Sequence, residues 1–141
     1  MSQPVVEMTR VEMFSACHRL HSKELSDAEN REIYGKCNHI NGHGHNYVWR
    51  VTLRGPTDSI TGMVYDLAAL KKEMASVLEN VDHRNLDADV DWFQKRPSTS
   101  ENVAIYLWDS LRAVMAVPEA LHRVTLEETP KNIFSYSGQY A

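Results

Sequence analysis

Tyr47, Trp49, Val51 and Leu53 occupy every second position, while Asn46, Arg50 and Thr52 fall on the opposite face. This is the alternation of a strand with one buried face, and it predicts a strand running on from His45. Residues 5 to 17, "VVEMTRVEMFSAC", alternate more loosely and predict an earlier strand. Residues 18 to 44 read as a long polar excursion between the two, and "GPTDSITG" at 55 to 62 reads as a loop.

The period then changes. After Asp66, a residue suited to an N-cap, Leu67, Leu70, Met74, Val77, Leu78 and Val81 recur at helical spacing. A second helix is expected from "STSENVAIYLWDSLRAVM", with Ser98 and Glu101 spaced as a capping box, Val103, Leu107, Leu111, Val114 and Met115 in phase, and Pro118 beyond its end. "HRVTLEET", "PKN" and "IFSYSG" predict a closing hairpin. The expected order is ββααββ, an α+β fold with an antiparallel sheet and two helices on one face.

The chain has 141 residues, 43% hydrophobic and 24% charged, which suits a single domain over residues 1–141 with its own core. Its net charge of −4 argues against a surface built to neutralise phosphate backbones, so no nucleic-acid partner is expected. No apolar run approaches the roughly 20 residues of a membrane span, and the N-terminal residues resemble no signal peptide. A cytoplasmic protein with free thiols at Cys17 and Cys37 is the expectation.

Against this ordinary background "KCNHINGHGHNY", residues 36 to 47, concentrates chemistry. His43 and His45 would point the same way if they open the second strand, and an antiparallel hairpin would bring His18, at the end of the first, beside them. Three imidazoles suit zinc and leave a fourth position open, as in catalytic sites. Gly42 and Gly44 would let the backbone turn beside the ion. Two bland alternatives stand beside this reading: histidines paired on a strand surface, and a closed structural site with Cys37 as fourth ligand.

The other candidates have two readings each. A thiol titrates near pH 8.5 on average, so Cys37 becomes a competent base only beside a cation or metal, and is otherwise a small loop residue. Asp82 and His83 follow the first helix, where His83 could serve the helix dipole or chemistry. Alternation puts Glu128 on the face of Val124 and Leu126, where a carboxylate needs a partner: a heterocycle with paired N–H donors, or an internal Arg or Lys. Cys17 reads as structural; His21, His39 and His122 read as solvated.

Together "FSACHRLHS", "GKCNHINGHGHNY", "TGMVYDLAALKK", "VDHRNLD", "PSTSENVAIYLWD" and "EETPKNI" closely resemble the eukaryotic 6-pyruvoyltetrahydropterin synthase family, in order and over nearly the whole chain. The resemblance implies a tunnelling fold (T-fold), in which subunit sheets join into trimeric barrels and two trimers stack as a homohexamer. It implies a lyase that converts 7,8-dihydroneopterin triphosphate to 6-pyruvoyltetrahydropterin with loss of triphosphate, in tetrahydrobiopterin biosynthesis. By the family pattern His18, His43 and His45 hold one Zn²⁺ per subunit, Cys37 is the base, and Asp82 with His83 relays protons. Glu128 anchors the pterin, Thr99 and Ser100 line its pocket, and Mg²⁺ is a candidate companion of the triphosphate. The chain departs from the common pattern at His39, where the family has Asn, and at Ser100, where it has Thr. The alternatives are the related 6-carboxytetrahydropterin synthase of deazapurine biosynthesis and a zinc-stabilised binding module without turnover.

Overall fold

Val5 faces Pro56 and His18 faces His43, and every residue between is paired, so β1 (Val5–His18) and β2 (His43–Pro56) form one long antiparallel hairpin. The computed structural model that shows this describes residues 2–141. Alternation sends Phe14, Ala16 and His18 of β1 and Tyr47, Trp49, Val51 and Leu53 of β2 to one buried face. Phe14 stacks on Tyr47 across the hairpin, with ring centroids 4.8 Å apart.

On that face lie the two long helices. Asp66 caps α2 (Leu67–Leu78) by accepting from the Ala68 amide at 2.9 Å, and Leu70, Met74 and Val77 are buried. In α4 (Ser100–Val114), Val103, Leu107 and Leu111 are buried against β4 (Leu121–Thr129), whose Val124 and Leu126 meet them. Each such side chain, fully buried, contributes about 1.5–3 kcal/mol. Leu67 and Val114, in phase with the core in the sequence, are half exposed because they lie at the outer ends of their helices.

The cap of α4 differs from the expected one. Thr99 is the N-cap, its hydroxyl accepting from the Asn102 amide at 3.3 Å, while Ser98 is buried one residue outside the helix. A serine and a threonine in succession offer equivalent caps, and tertiary packing of Ser98 selects the second.

The sheet has five strands, in the order β3-β1-β2-β4-β5, with β5 at Asn132–Tyr136. It is mixed, because β3 (Arg84–Asn85) runs parallel to β1 at Ala16 and Cys17. Two residues are too few to show a period, so this edge strand left no pattern in the sequence. Nor did two short helices, α1 (Asp27–Tyr34) within the polar excursion and α3 (Leu86–Asp89). α1 buries only Asn30, so no apolar stripe marks it; its signature is the capping box of Ser26 and Glu29. No helix among the described residues is long and apolar enough to cross a membrane.

Candidate metal and catalytic site

The hairpin register carries the site. His18 and His43 are direct cross-strand partners, and His45 follows His43 on the same face, opposite Ala16. The Nε2 atoms of His18 and His43 lie 3.0 Å apart. The three rings stand edge to face, with centroids 4.6 to 5.3 Å apart.

Glu128 joins them from β4. Glu128 keeps to the face of Val124 and Leu126, as alternation requires, beside a register shift between Glu127 and Thr129 in the pairing with β5. Glu127 turns outward to an ion pair with Arg50, while Glu128 Oε1 comes to 3.1 Å from His45 Nε2. One ligand atom from each of His18, His43, His45 and Glu128 falls within 4.8 Å of the others. The internal partner of this carboxylate is thus a histidine rather than an Arg or Lys.

Protonation favours ligation. His18 Nδ1 lies 2.6 Å from the Ser98 carbonyl, which can only accept, so Nδ1 carries the proton and Nε2 presents its lone pair to the centre. Burial depresses the pKa of His18 most, with further lowering from His43 and His45, against the opposing pull of the Ser98 carbonyl. Burial likewise lowers that of His45, and the nearby Glu128 opposes it. Despite its proximity to Glu128, His45 Nε2 has no aligned hydrogen bond and is buried. An orphaned ring nitrogen, a fixed tautomer and neutral imidazoles beside a carboxylate fit a bound divalent metal.

Cys37 lies outside this group. It sits on a 3₁₀ turn, Gly35–Asn38, tied to the chain just after His18. The Leu20 amide donates to the Cys37 carbonyl at 2.9 Å, Arg19 Nε donates to the Asn38 carbonyl at 2.9 Å, and Asn38 Nδ2 donates to the Leu20 carbonyl at 2.6 Å. The side chain that stands with the three histidines is therefore Glu128, not Cys37. His39 is also outside, accepting from the Asn41 amide.

Asp82 and His83 stand where β3 joins β1. The Ser15 amide donates to Asp82 Oδ1 at 3.0 Å, and His83 Nδ1 lies 3.0 Å from the same oxygen. His83 has φ 61°, a left-handed conformation uncommon for a side chain of this size, and is 83% exposed. Its amide donates to the Ser15 carbonyl, so its place is fixed by β1 rather than by the α2 carbonyls. His83 borders an open cleft of about 370 Å³ shared with Cys17, His45 and Asn46. Cys17, expected as a structural strand residue, is only half-buried there; both cysteines are free thiols.

Thr99 is committed to its cap, whereas the Ser100 hydroxyl is buried with no hydrogen-bond partner. The Tyr47 hydroxyl, beside His45, is likewise buried and unpartnered. Ser98 and Asn38 carry parts of the site that sequence reasoning missed. A backbone carbonyl has no sequence signature, and Asn38 was masked by the cysteine beside it.

The chain matches the family model "6-pyruvoyl tetrahydropterin synthase" over residues 7–139. It is 55% identical over 139 residues to the 6-pyruvoyl tetrahydrobiopterin synthase of Drosophila melanogaster, covering 98% of this chain and 83% of that one. It is 50% identical over 134 residues to the enzyme of the same name from Homo sapiens, covering 94% and 92%. The solved structure of Caenorhabditis elegans 6-pyruvoyl tetrahydropterin synthase superposes with a TM-score of 0.98 at 63% identity, covering 99% of each chain.

Proposed function

The chain belongs to the 6-pyruvoyl tetrahydropterin synthase family and is an enzyme of that kind, and on that premise we propose that it converts 7,8-dihydroneopterin triphosphate to 6-pyruvoyltetrahydropterin, releasing inorganic triphosphate, with zinc at the histidine cluster. The observation that carries the zinc reading is the convergence of three imidazoles, with the His18 lone pair aimed inward by the Ser98 carbonyl. Three imidazole nitrogens with a fourth position open are the donor set of a catalytic zinc site.

Bound zinc would supply Lewis acidity, polarising the substrate's side-chain oxygens so that neighbouring carbon-bound protons become acidic. His18, His43 and His45 would hold it. Cys37, close in sequence to these ligands but outside their group, is the base that takes a side-chain proton, and Asp82 with His83 passes protons onward. Glu128 receives the pterin N–H donors, and Ser100, with its unpartnered buried hydroxyl, offers a further polar contact. Thr99 shapes the same wall by capping α4. The electrons stay within the substrate, so the residues need only move protons.

Among the described residues the sheet leaves the outer edge of β5 and most of the outer edge of β1 unpaired within the chain, since β3 covers only Ala16 and Cys17. Open edges of this length need covering. Their pairing between copies would give the trimeric barrel of a tunnelling fold, two of which would stack as a hexamer. The single buried cluster that joins both helices to the sheet supports one catalytic domain.

An anaerobic assay of zinc-loaded protein with dihydroneopterin triphosphate tests this reading. Triphosphate release with the 6-pyruvoyl product is expected; acetaldehyde with a 6-carboxy product would instead identify the deazapurine-pathway activity.

A further inference from the structure

Residues 82–89 run along the outer edge of β1 and grip it on either side of His18. The Ser15 amide donates to Asp82 Oδ1 at 3.0 Å, and Ala16 and Cys17 pair with Arg84 and Asn85 of β3. Just beyond the end of the strand, the Arg19 amide donates to Asp87 Oδ2 at 2.7 Å.

His18 needs such a hold. It is the last residue of β1, and the chain leaves the sheet there for the long excursion that returns at His43. Strand ends fray most easily, yet this one carries a ring that must meet His43 and His45. The peptide between His18 and Arg19 is held at both its polar groups. Gly42 packs so closely on its carbonyl oxygen that a Cβ there would lie 2.8 Å away, and its N–H is the one bonded to Asp87. A peptide is planar, so fixing both groups sets the backbone from which the His18 ring projects. The Ser98 carbonyl then sets the rotation of the ring.

Asp87 is itself firmly placed. Asn85 Oδ1 accepts from the Asp87 amide at 3.0 Å, Gln94 Nε2 donates to the Asp87 carbonyl at 2.6 Å, and Leu86 beside it is fully buried. Among the described residues no Lys, Arg or His side-chain nitrogen lies within 4.0 Å of its carboxylate. Asp87 is half-buried, and its bond goes to a backbone amide rather than to an ion pair. An ionised acceptor makes such a bond shorter and stronger than a neutral one does.

We propose that Asp87 is a positioning residue of the metal centre: by holding the Arg19 amide it fixes the His18–Arg19 peptide and keeps His18 Nε2 in place beside His43 and His45. The same segment carries Asp82 and His83, so one short stretch ties the proposed proton relay and a proposed metal ligand to neighbouring points of β1. The inference rests on the reading of the histidine cluster as a metal site, and not on the reaction assigned to it.

Three measurements on wild type, Asp87→Ala, Asp87→Asn and Asp89→Ala test it: zinc affinity by chelator competition, the visible spectrum of the cobalt(II)-substituted protein, and steady-state kinetics. Asp87 is half-buried in a short helix, where alanine is well tolerated, so Asp87→Ala keeps the fold. Its zinc affinity should fall about ten-fold or more, and its cobalt bands should shift as the ligand geometry loosens. With zinc saturating, kcat should fall about ten-fold with little change in KM. Asp87→Asn keeps an oxygen acceptor for the Arg19 amide and should restore most of the affinity and the wild-type cobalt bands. Asp89 Oδ2 accepts from the Asn85 amide at 2.9 Å, so Asp89→Ala loosens the same short helix without touching the Arg19 bond and should leave the cobalt bands unmoved. Wild-type zinc affinity and cobalt bands in Asp87→Ala would overturn the proposal. So would an Asp87→Asn variant as weak as Asp87→Ala, which would assign the effect to charge, or an equally weak Asp89→Ala, which would assign it to the fold of α3. Failure of the wild type to bind either metal would overturn the metal reading and this inference together. Metal binding with the expected Asp87 effects, but without turnover, would uphold the inference and sink the proposed reaction.

Discussion

The Nδ1 of His18 and the carbonyl oxygen of Ser98, eighty residues apart in sequence, are 2.6 Å apart in the fold. That bond turns a buried histidine into an oriented metal ligand, because the carbonyl must receive the Nδ1 proton and so leaves Nε2 free. His18→Ala, His43→Ala and His45→Ala are each expected to weaken zinc binding by at least about 100-fold, since even outer-shell changes cost 10–100-fold. Chelator competition with metal analysis measures this; full zinc retention in all three would remove the site.

Cys37→Ala separates base from ligand. Loss of a general base lowers turnover by about 10²–10⁴-fold, while zinc content should stay unchanged because Cys37 lies outside the ligand group. X-ray absorption of the wild type should show only N/O ligation. A Zn–S distance in that spectrum would favour the closed structural site instead.

Glu128→Gln keeps the shape of the side chain and removes its charge. If the carboxylate receives pterin N–H donors, substrate KM should rise about ten-fold or more. An effect confined to zinc affinity, with KM unmoved, would make Glu128 a ligand and not an anchor.

Asp82 links stability to pH. The Ser15 amide is the main cause holding its carboxyl below the usual carboxylate range, with a smaller contribution from His83. A folded-state pKa below the unfolded value, about 3.9, gives stability that is complete above that value and is lost as pH falls through the folded pKa. The stability gap between wild type and Asp82→Asn, read from urea melts, should therefore be widest at neutral pH and close below about pH 3.9. A gap independent of pH would mean that the charge of Asp82 contributes nothing to it.

Gly42 and Gly44 separate two kinds of glycine. Gly42 has φ 71°, and a Cβ there would lie 2.8 Å from the His18 carbonyl oxygen, whereas a Cβ at Gly44 would meet nothing closer than 3.4 Å. Gly42→Ala should cost about 1–3 kcal/mol in a urea melt and displace His18, weakening zinc binding; Gly44→Ala should be milder on both counts. Equal effects at the two positions would contradict this geometry.

The residues that announce themselves in the sequence are those whose pattern is local. The alternation from Tyr47 to Leu53, the helical phase from Leu70 to Val77 and the approach of His18 to His43 and His45 follow from strand and helix periods and one hairpin. α1 escaped because a polar helix has no apolar stripe, and β3 because two residues have no period. What only tertiary structure decided is what nonlocal contact sets. Ser98 supplies a carbonyl rather than a cap, and the packing of β4 beside the hairpin brings Glu128 to His45 while Cys37 stays outside the ligand group. Such contacts arise where distant segments pack, and no short stretch of sequence specifies them.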